Sequence, residues 1–294
     1  MRISDIAELL LLAALWGGSF LLMRIAAPVL GPVWLIEFRV LLAGLVLLPI
    51  LVRAQLLPEV RRHLAPLVVV GWINSAIPFL LFAFASVFLP AGFTAILNAT
   101  APLFGTVVAV VWLQEKLTTS RLIGFVIGFI GVVILIGWRA VAATPNFFLA
   151  VLAGLGAAVL YAIAAPYAKR KLAAVPSLVV ATVSQLGAAL LLLPALPFTV
   201  PQQPLTADVV VAVIALALLS TALAYILYFR LISNLGSTKA LTVAYLIPLF
   251  AMFWGAIILK ETITVSMIVG CGLVLLGTAI ANELLMGQRS RPQP

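Results

Sequence analysis

The sequence contains few charged residues and few of the residues that catalyse reactions. Only 9% of its 294 residues are charged, and it has a single histidine and a single cysteine. Intramembrane proteases and metal-dependent membrane enzymes need a Ser/His pair, paired aspartates or a His/carboxylate metal shell. The hydrophobic stretches hold no such set, and His63 stands beside Arg61 and Arg62 between two of them. Neither catalysis nor a metal or other cofactor is therefore expected.

The other scarce residues fit structural positions. Asp5 and Asp208 stand at the expected starts of two helices, where a negative charge suits the positive end of the helix dipole. Cys271 lies inside a hydrophobic stretch and, as the only cysteine, cannot form an intramolecular disulfide. These residues give no sign of redox chemistry.

Hydrophobic residues dominate the sequence instead. They make up 65% of it, whereas soluble domains are roughly half apolar. Since a helix needs about 20 apolar residues to cross a bilayer, we predict an all-α integral membrane protein with ten transmembrane helices. The stretches lie near residues 6–28, 33–53, 64–87, 90–113, 121–138, 147–169, 177–197, 208–232, 237–259 and 264–284.

One part of the sequence occurs twice. Residues 89–134 and 235–280 align without a gap, so that Pro102 recurs as Pro248 and Glu115 as Glu261. Each copy follows three further hydrophobic stretches, which divides the chain into residues 1–143 and 144–294. Because each half has an odd number of helices, the second half must enter the membrane from the opposite side. We therefore predict two inverted five-helix repeats, which are typical of transporters.

The net charge of +9 follows the predicted topology. Cytoplasmic connections carry an excess of Lys and Arg, and this rule places both termini in the cytoplasm. The expected location is the inner (plasma) membrane. A nucleic-acid partner is not expected. The inner connections then hold Arg2, Arg53, Arg61, Arg62, Lys116, Arg121, Lys169, Arg170, Lys171, Arg230, Lys239, Arg289 and Arg291, and the outer ones Arg24, Arg139 and Lys260.

Two helices carry matching rows of hydroxyl and aromatic side chains. The rows have the spacing of one helical face, and tyrosine combines an apolar body with a hydroxyl that seeks a partner. They predict a central cavity for solutes that are partly apolar and partly polar. An interfacial aromatic belt with ordinary helix packing is the alternative. The third helix contributes Ser75, Phe79 and Phe82, and the eighth contributes the counterparts Thr221, Tyr225 and Tyr228.

Pro102 and Pro248 fall inside predicted helices at the same place in the two copies. Each proline frees the carbonyl four residues earlier, that of Asn98 or Ala244. Such a carbonyl needs a partner or a water-lined cavity within the membrane. We therefore expect the fourth and ninth helices to bend or break near the middle of the membrane. A tolerated kink without a site is the alternative.

Three ionisable residues near the helices are assigned structural or gating roles. Arg39 lies about two turns into the second helix, and a buried arginine is functional by default. Glu115 and Glu261 end the fourth and ninth helices on opposite sides of the membrane. Pairing of each helix end with a neighbouring cation is the structural interpretation, and proton coupling is the alternative.

Glycines in the fifth and tenth helices predict close helix contacts. Packing within a monomer is favoured over a dimer interface, and these two helices are expected to contribute no polar atoms to a site. The glycines are Gly124, Gly128, Gly131, Gly270, Gly272 and Gly277.

Several motifs together resemble one transporter family. They are Trp16-Gly17-Gly18-Ser19-Phe20, Phe38-Arg39, Glu115-Lys116-Leu117-Thr118 after Pro102, and Lys260-Glu261-Thr262-Ile263-Thr264 after Pro248. With ten helices in two repeats, the chain resembles the EamA family of the drug/metabolite transporter superfamily, and most of all its YddG-type aromatic amino-acid exporters. The resemblance covers practically the whole chain.

The resemblance implies a basket-like helical bundle that exports aromatic or other neutral amino acids and related small metabolites by alternating access. Export of drugs or nucleobase-like compounds is one alternative, and a channel-like conduit is another. Val183 and Ser184 stand where Arg39 would recur, which puts a twofold charged site in question. The expected substrate-binding residues are Trp16, Ser19, Phe20, Ser75, Phe79, Phe82, Asn98, Pro102, Tyr161, Thr221, Tyr225, Tyr228, Tyr245 and Pro248.

Overall fold

The computed structural model describes residues 2–137, 144–201 and 203–282, and all regular structure within these ranges is helical. Arg139, Arg289 and Arg291 lie outside the described residues, as does the expected boundary between the halves. The α-helices of the described part are α1 (Ile3–Arg53), α2 (Leu57–Gly71), α3 (Ile77–Phe88), α4 (Ala91–Asn98), α5 (Ala101–Val111), α6 (Thr119–Gly137), α7 (Pro145–Leu172), α8 (Ser177–Leu192), α9 (Ala207–Ala217), α10 (Ala224–Leu235), α11 (Ser237–Ala240), α12 (Val243–Ile258) and α13 (Val265–Ala281).

Helical segments long and apolar enough to cross a membrane make up most of the described chain. There are seven of them in these ranges, and α12 and α13 are shorter apolar helices. The molecule is therefore an all-helical, multi-pass membrane protein. The seven segments are Ile3–Arg53, Leu57–Phe88, Ala91–Val111, Thr119–Gly137, Pro145–Leu172, Ser177–Phe198 and Ala207–Leu235.

Helix α1 is too long for one crossing. Its 51 residues would extend about 75 Å at 1.5 Å per residue, more than twice a hydrocarbon core of about 30 Å. Gly31 interrupts it with a φ of +75°, a conformation that favours glycine. Residues 3–30 and 32–53 are thus two helices joined at a kink.

The two ends of the bundle are distinguished by contacts between helix ends. At the proximal end, where α1 begins and α10 ends, Arg230 forms an ion pair with Glu8 at 3.1 Å. At the distal end, which contains the Gly31 kink, the Trp34 indole donates to the Leu196 carbonyl at 3.2 Å. The chain passes repeatedly between these two ends.

The predicted break at Pro102 is confirmed. Helix α4 ends at Asn98, and α5 starts at Ala101 with Pro102 in its first turn. The Thr100 hydroxyl donates to the Leu97 carbonyl at 2.6 Å and closes the turn between the two helices.

The expected interruption of the ninth helix is present, but it does not lie at Pro248. Helix α12 continues through Pro248, and the interruption lies earlier, at residues 241–242. There the Thr242 hydroxyl donates to the Lys239 carbonyl at 2.7 Å, as Thr100 does in the first half. A proline removes a single helical hydrogen bond, so α12 can continue past it. In the second half of the chain, the helix is therefore interrupted at the turn that Thr242 closes and not at the proline.

Two π-helical segments occupy corresponding positions in the chain. Trp72–Ala76 joins α2 to α3, and Leu218–Leu223 joins α9 to α10. Their first residues are separated by the same distance in sequence as Leu89 and Leu235, which start the two copies of the repeated segment. Hydrogen bonds in a π-helix reach five residues back, and such segments are frequent at functional sites.

Helices α6 and α13 approach each other closely through glycine. A Cβ atom on Gly277 would collide with the backbone of Gly124, and one on Gly131 would crowd the Gly270 carbonyl. Gly272 is an exception, since an added Cβ there would have nothing within 4 Å. Apart from Gly272, these glycines therefore make close contacts within one chain.

Gly277→Ala is expected to lower the Tm of the detergent-solubilised protein, because its methyl group would overlap the Gly124 backbone. Overpacking of this kind costs about 1–3 kcal/mol. Gly272→Ala in the same helix is the matched control, and alanine's higher helix propensity should leave its Tm unchanged or slightly raised. Thermal unfolding curves of the two variants test this. Equal Tm values would contradict the close α6–α13 contact.

Candidate functional site

A cavity of about 670 Å³ lies inside the bundle, within the usual range for small-molecule sites. It extends from Arg39 and Phe79 in the interior to Thr242 and Asn282 at the proximal end. Its lining is formed by Trp16, Ser19, Phe20, Met23, Arg39, Asn74, Phe79, Phe82, Asn98, Ala99, Ala101, Pro102, Tyr161, Ser220, Tyr225, Tyr228, Leu241, Thr242, Ala244, Tyr245, Ile247, Leu275, Thr278 and Asn282.

Most of the predicted substrate-binding residues come together around this cavity. Arg39 lies among them, although we predicted a structural or gating role for it. The predicted residues in the lining are Trp16, Ser19, Phe20, Phe79, Phe82, Asn98, Pro102, Tyr161, Tyr225, Tyr228 and Tyr245.

Ser75, Thr221 and Pro248 are buried outside the lining. Ser75 accepts a hydrogen bond from Gln185 Nε2 at 3.0 Å, and Thr221 accepts one from Arg39 Nε at 3.0 Å. Both hydroxyls lie in π-helical segments, whereas their predicted place in the lining depended on α-helical spacing.

The π-helical spacing places a different residue of each segment in the cavity wall. Asn74 precedes Phe79 by five positions and Ser220 precedes Tyr225 by five, and all four residues line the cavity. Asn74 and Ser220 are also counterparts in the repeat. The repeat could have paired them, but only the backbone conformation brings them to the cavity.

Helix α13 also contributes polar atoms, contrary to expectation. Thr278 and Asn282 line the cavity one helical turn apart. The Thr278 hydroxyl donates to the Ala99 carbonyl at 3.4 Å, beside the α4–α5 break. The Asn282 amide donates to the Tyr245 hydroxyl at 3.3 Å. These contacts join a packing helix to the cavity wall.

Aromatic rings form much of the cavity wall. The ring centroid of Trp16 lies 5.1 Å from that of Tyr228. The centroid of Phe82 lies 5.7 Å from that of Phe20 and 5.9 Å from that of Tyr161. These separations are typical of interacting aromatic pairs. The rings come from α1, α3, α7 and α10 and present flat apolar surfaces to a solute.

Arg39 supplies a positive charge to the cavity wall. Its side chain is only 4% exposed, and its guanidinium carbon lies 3.7 Å from the Phe79 ring centroid. Besides the Thr221 hydroxyl, its recorded contact is the Met23 sulfur, 3.8 Å from Nη1. Within the described ranges no carboxylate lies at ion-pair distance from Arg39.

A charged cluster, the distal latch, ties several helices together at the distal end. Arg24 Nε lies 3.5 Å from Glu261 Oε1, and the Ala91 amide that begins α4 donates to Glu261 Oε2 at 2.9 Å. Arg24 Nη1 also donates to the carbonyls of Ser86 and Val87, at 3.0 and 2.6 Å. The expected pairing of Glu261 with a cation is confirmed, with Arg24 as the partner.

The corresponding glutamate has different surroundings. Glu115 pairs with Arg121 at 2.7 Å, and its side chain is 44% exposed. Arg121 lies only six residues further along the chain, so this pair is local. The expected pairing with a neighbouring cation is thus confirmed here too. The two glutamates nevertheless differ, since the contacts of Glu261 with Arg24 and Ala91 link segments far apart in the sequence.

Asn74→Cys is expected to react with a small methanethiosulfonate reagent in detergent, because residue 74 lines the cavity. Ser75→Cys should remain unreactive, since Ser75 is 0% exposed. Native Cys271 is buried and gives little background. Mass spectrometry of the intact protein measures the adduct. Reaction at position 75 but not at position 74 would contradict the π-helical placement.

Comparisons with known proteins agree with this architecture. The EamA-like transporter family matches residues 6–137 and again residues 148–282. The uncharacterized transporter YvbV of Bacillus subtilis (strain 168) is 25% identical over 288 residues, which cover 95% of this chain and 92% of the relative. The uncharacterized transporter YoaV of the same organism is 24% identical over 266 residues, covering 90% and 91%.

An uncharacterized transporter of Archaeoglobus fulgidus is 21% identical over 276 residues, which cover 92% of this chain and 96% of the relative. A crystal structure with 20% sequence identity shares the fold with a TM-score of 0.67, over 99% of this chain and 100% of its own. Family and relatives indicate transport of a small molecule across a lipid bilayer and not an enzymatic reaction. The chain is a member of the EamA-like transporter family.

Proposed function

We propose that the protein is an inner-membrane carrier that exports aromatic or other neutral amino acids and related small metabolites by alternating access. The observation that carries this proposal is the cavity, which combines a wall of aromatic rings with Arg39, the one cation among the described lining residues. The rings suit a flat apolar side chain, and the polar groups suit the main-chain part of an amino acid.

The proposed topology is ten crossings in two inverted repeats, residues 1–143 and 144–294. The kink at Gly31 supports it by dividing α1 into two helices, and the family match within each half supports the two repeats. The repeat relates Gly124 to Gly270 and Gly131 to Gly277. It therefore converts the contact between Gly124 and Gly277 into the contact between Gly270 and Gly131. Such an exchange is expected when two halves are related by a twofold axis.

The proximal end is proposed to face the cytoplasm. Arg53 and Lys169 lie in the last turns of α1 and α7 at this end, and Arg230 lies in the second half of α10. Cytoplasmic connections are rich in such cations. The cavity then reaches the cytoplasmic side, while the distal latch ties helices together on the outer side. This arrangement corresponds to the inward-facing state of a carrier.

Alternating access requires the distal latch to separate when the cavity opens outward. Arg24 and Glu261 belong to different proposed halves, so relative movement of the halves breaks their ion pair. A channel, by contrast, needs a continuous path through both ends. None of the described lining residues belongs to the distal latch, which favours a carrier.

Tyr228→Ala is expected to raise the KM for L-tryptophan and L-phenylalanine severalfold more than for L-alanine, because the Tyr228 ring lies in the aromatic wall. Loss of one aromatic contact costs about 0.5–1.5 kcal/mol beyond the loss of buried area. Counterflow into proteoliposomes containing the pure protein measures this. Tyr167→Ala is the control, since Tyr167 packs in another hydrophobic cluster.

Equal losses for all solutes in Tyr228→Ala would exclude a role for the ring in selectivity. Wild-type proteoliposomes that show no saturable, counter-substrate-stimulated exchange of any amino acid would overturn the proposed substrate class. A parallel panel of nucleobases and cationic dyes tests the drug and nucleobase alternative.

Glu261→Gln is expected to populate the outward-facing state, because it removes the negative charge that faces Arg24 and weakens the acceptor for the Ala91 amide. In intact cells that carry Asn74→Cys, an impermeant thiol reagent should then label residue 74 severalfold faster than without Glu261→Gln. Glu115→Gln, at the corresponding site on the other side, is the matched control and should not accelerate labelling. Unchanged labelling in Glu261→Gln would contradict the gating role of the distal latch.

A further inference from the structure

We infer that Arg39 binds the carboxylate of the solute, and that recognition depends on this carboxylate and not on an ammonium group. The inference rests on the proposed function and narrows its substrate class. The class becomes organic acids with an aromatic or other apolar body, which includes amino acids as well as acids that lack the amine.

The surroundings of Arg39 leave its charge unbalanced. A buried cation in a membrane protein almost always pairs with an acidic group or with backbone carbonyls. The recorded partners of Arg39 are instead a hydroxyl, a thioether and an aromatic face, those of Thr221, Met23 and Phe79. These neutral groups position the guanidinium without neutralising it. An anion in the cavity would supply the missing partner.

The geometry leaves hydrogen-bond donors available. A guanidinium carries five N–H donors in one plane. Thr221 accepts from Nε, and the Met23 sulfur accepts one of the two N–H groups of Nη1, which leaves three donors. The guanidinium carbon lies over the Phe79 ring, and a ring face accepts no conventional hydrogen bond. The remaining N–H groups match the two oxygens of a carboxylate, which is the usual bidentate partner of arginine.

The remaining lining fits a solute in one orientation. Tyr161 and Tyr225 line the same cavity as Arg39 and lie close enough to interact with it electrostatically. Phe82 and Phe20 lie beyond Tyr161 in the same wall. A carboxylate at Arg39 therefore places the apolar body of the solute against these rings.

Acidic residues are missing from the described lining. None of the lining residues is an aspartate or glutamate, so the wall provides no carboxylate for an ammonium group. The amine of an amino acid then contributes little to selection. An ammonium group would meet only neutral acceptors there, such as the Asn74 and Asn98 side chains and the tyrosine hydroxyls.

The test is competition against labelled L-phenylalanine, measured both as equilibrium binding in detergent and as counterflow in proteoliposomes. The competitors are 3-phenylpropionate, which lacks the amine, and L-phenylalaninamide, which lacks the carboxylate. Wild-type protein should bind 3-phenylpropionate within a few-fold of L-phenylalanine. It should bind the amide about tenfold or more weakly, the usual effect of losing a charge-assisted hydrogen bond.

Variants separate an anchoring role from a structural one. Arg39→Gln should weaken the binding of L-phenylalanine and 3-phenylpropionate about tenfold or more, and the binding of L-phenylalaninamide much less. Arg39→Lys should have an intermediate effect. Arg62→Gln is the control, because the Arg62 side chain is 73% exposed and outside the cavity. Equal weakening of all three ligands by Arg39→Gln would show that Arg39 only maintains the structure, and would overturn the inference.

The wild-type comparison holds even if an Arg39 variant fails to fold. An amide that competes as well as L-phenylalanine, or a 3-phenylpropionate that does not compete, would overturn the inference and leave the carrier proposal intact. Arg39-dependent binding of the acids without exchange of any solute would overturn the carrier proposal and support the anchor. Absence of binding by all three ligands in wild-type protein would overturn both.

Discussion

Inside a bilayer, backbone amides and carbonyls find no water, so an irregular helix is tolerated only where protein or a cavity satisfies it. Several irregular segments of this chain lie beside one cavity: the break after Asn98, the interruption at Leu241 and the π-helical segments that contain Asn74 and Ser220. The same segments bring polar side chains and backbone to the cavity wall. The cavity and the irregular helices therefore depend on each other.

The charged groups are divided between the cavity and the helix ends. Glu261 satisfies a helix N-terminus and a cation together, which makes the distal latch a compact link between segments far apart in the chain. Arg39 has neutral neighbours and lies in the cavity wall. A solute that brings a negative charge would complete the surroundings of Arg39, whereas the latch already holds both charges.

Much of the site could be predicted because periodicity and the repeat agree. Phe79 and Tyr225 have matching positions in their halves, and both line the cavity. Ser75 and Thr221 lie outside the lining because of the π-helical turns that contain them. This could not be predicted, since the sequence gives no direct sign of a π-helical turn. The partner of Glu261 could not be predicted, since Arg24 lies at the other end of the chain and only tertiary packing brings them together. Pro248 shows that a proline alone does not decide where a helix breaks.

The two π-helical segments also bear on the order of events in the evolution of the chain. A π turn holds an extra residue compared with an α turn, so it can arise by insertion of one residue into a helix. Trp72 and Leu218 are separated in sequence by the same distance as the two copies of the repeated segment. Insertions after a duplication would have had to occur twice, at matching positions. Under the proposed duplication, one insertion into an ancestral half accounts for both widened helices.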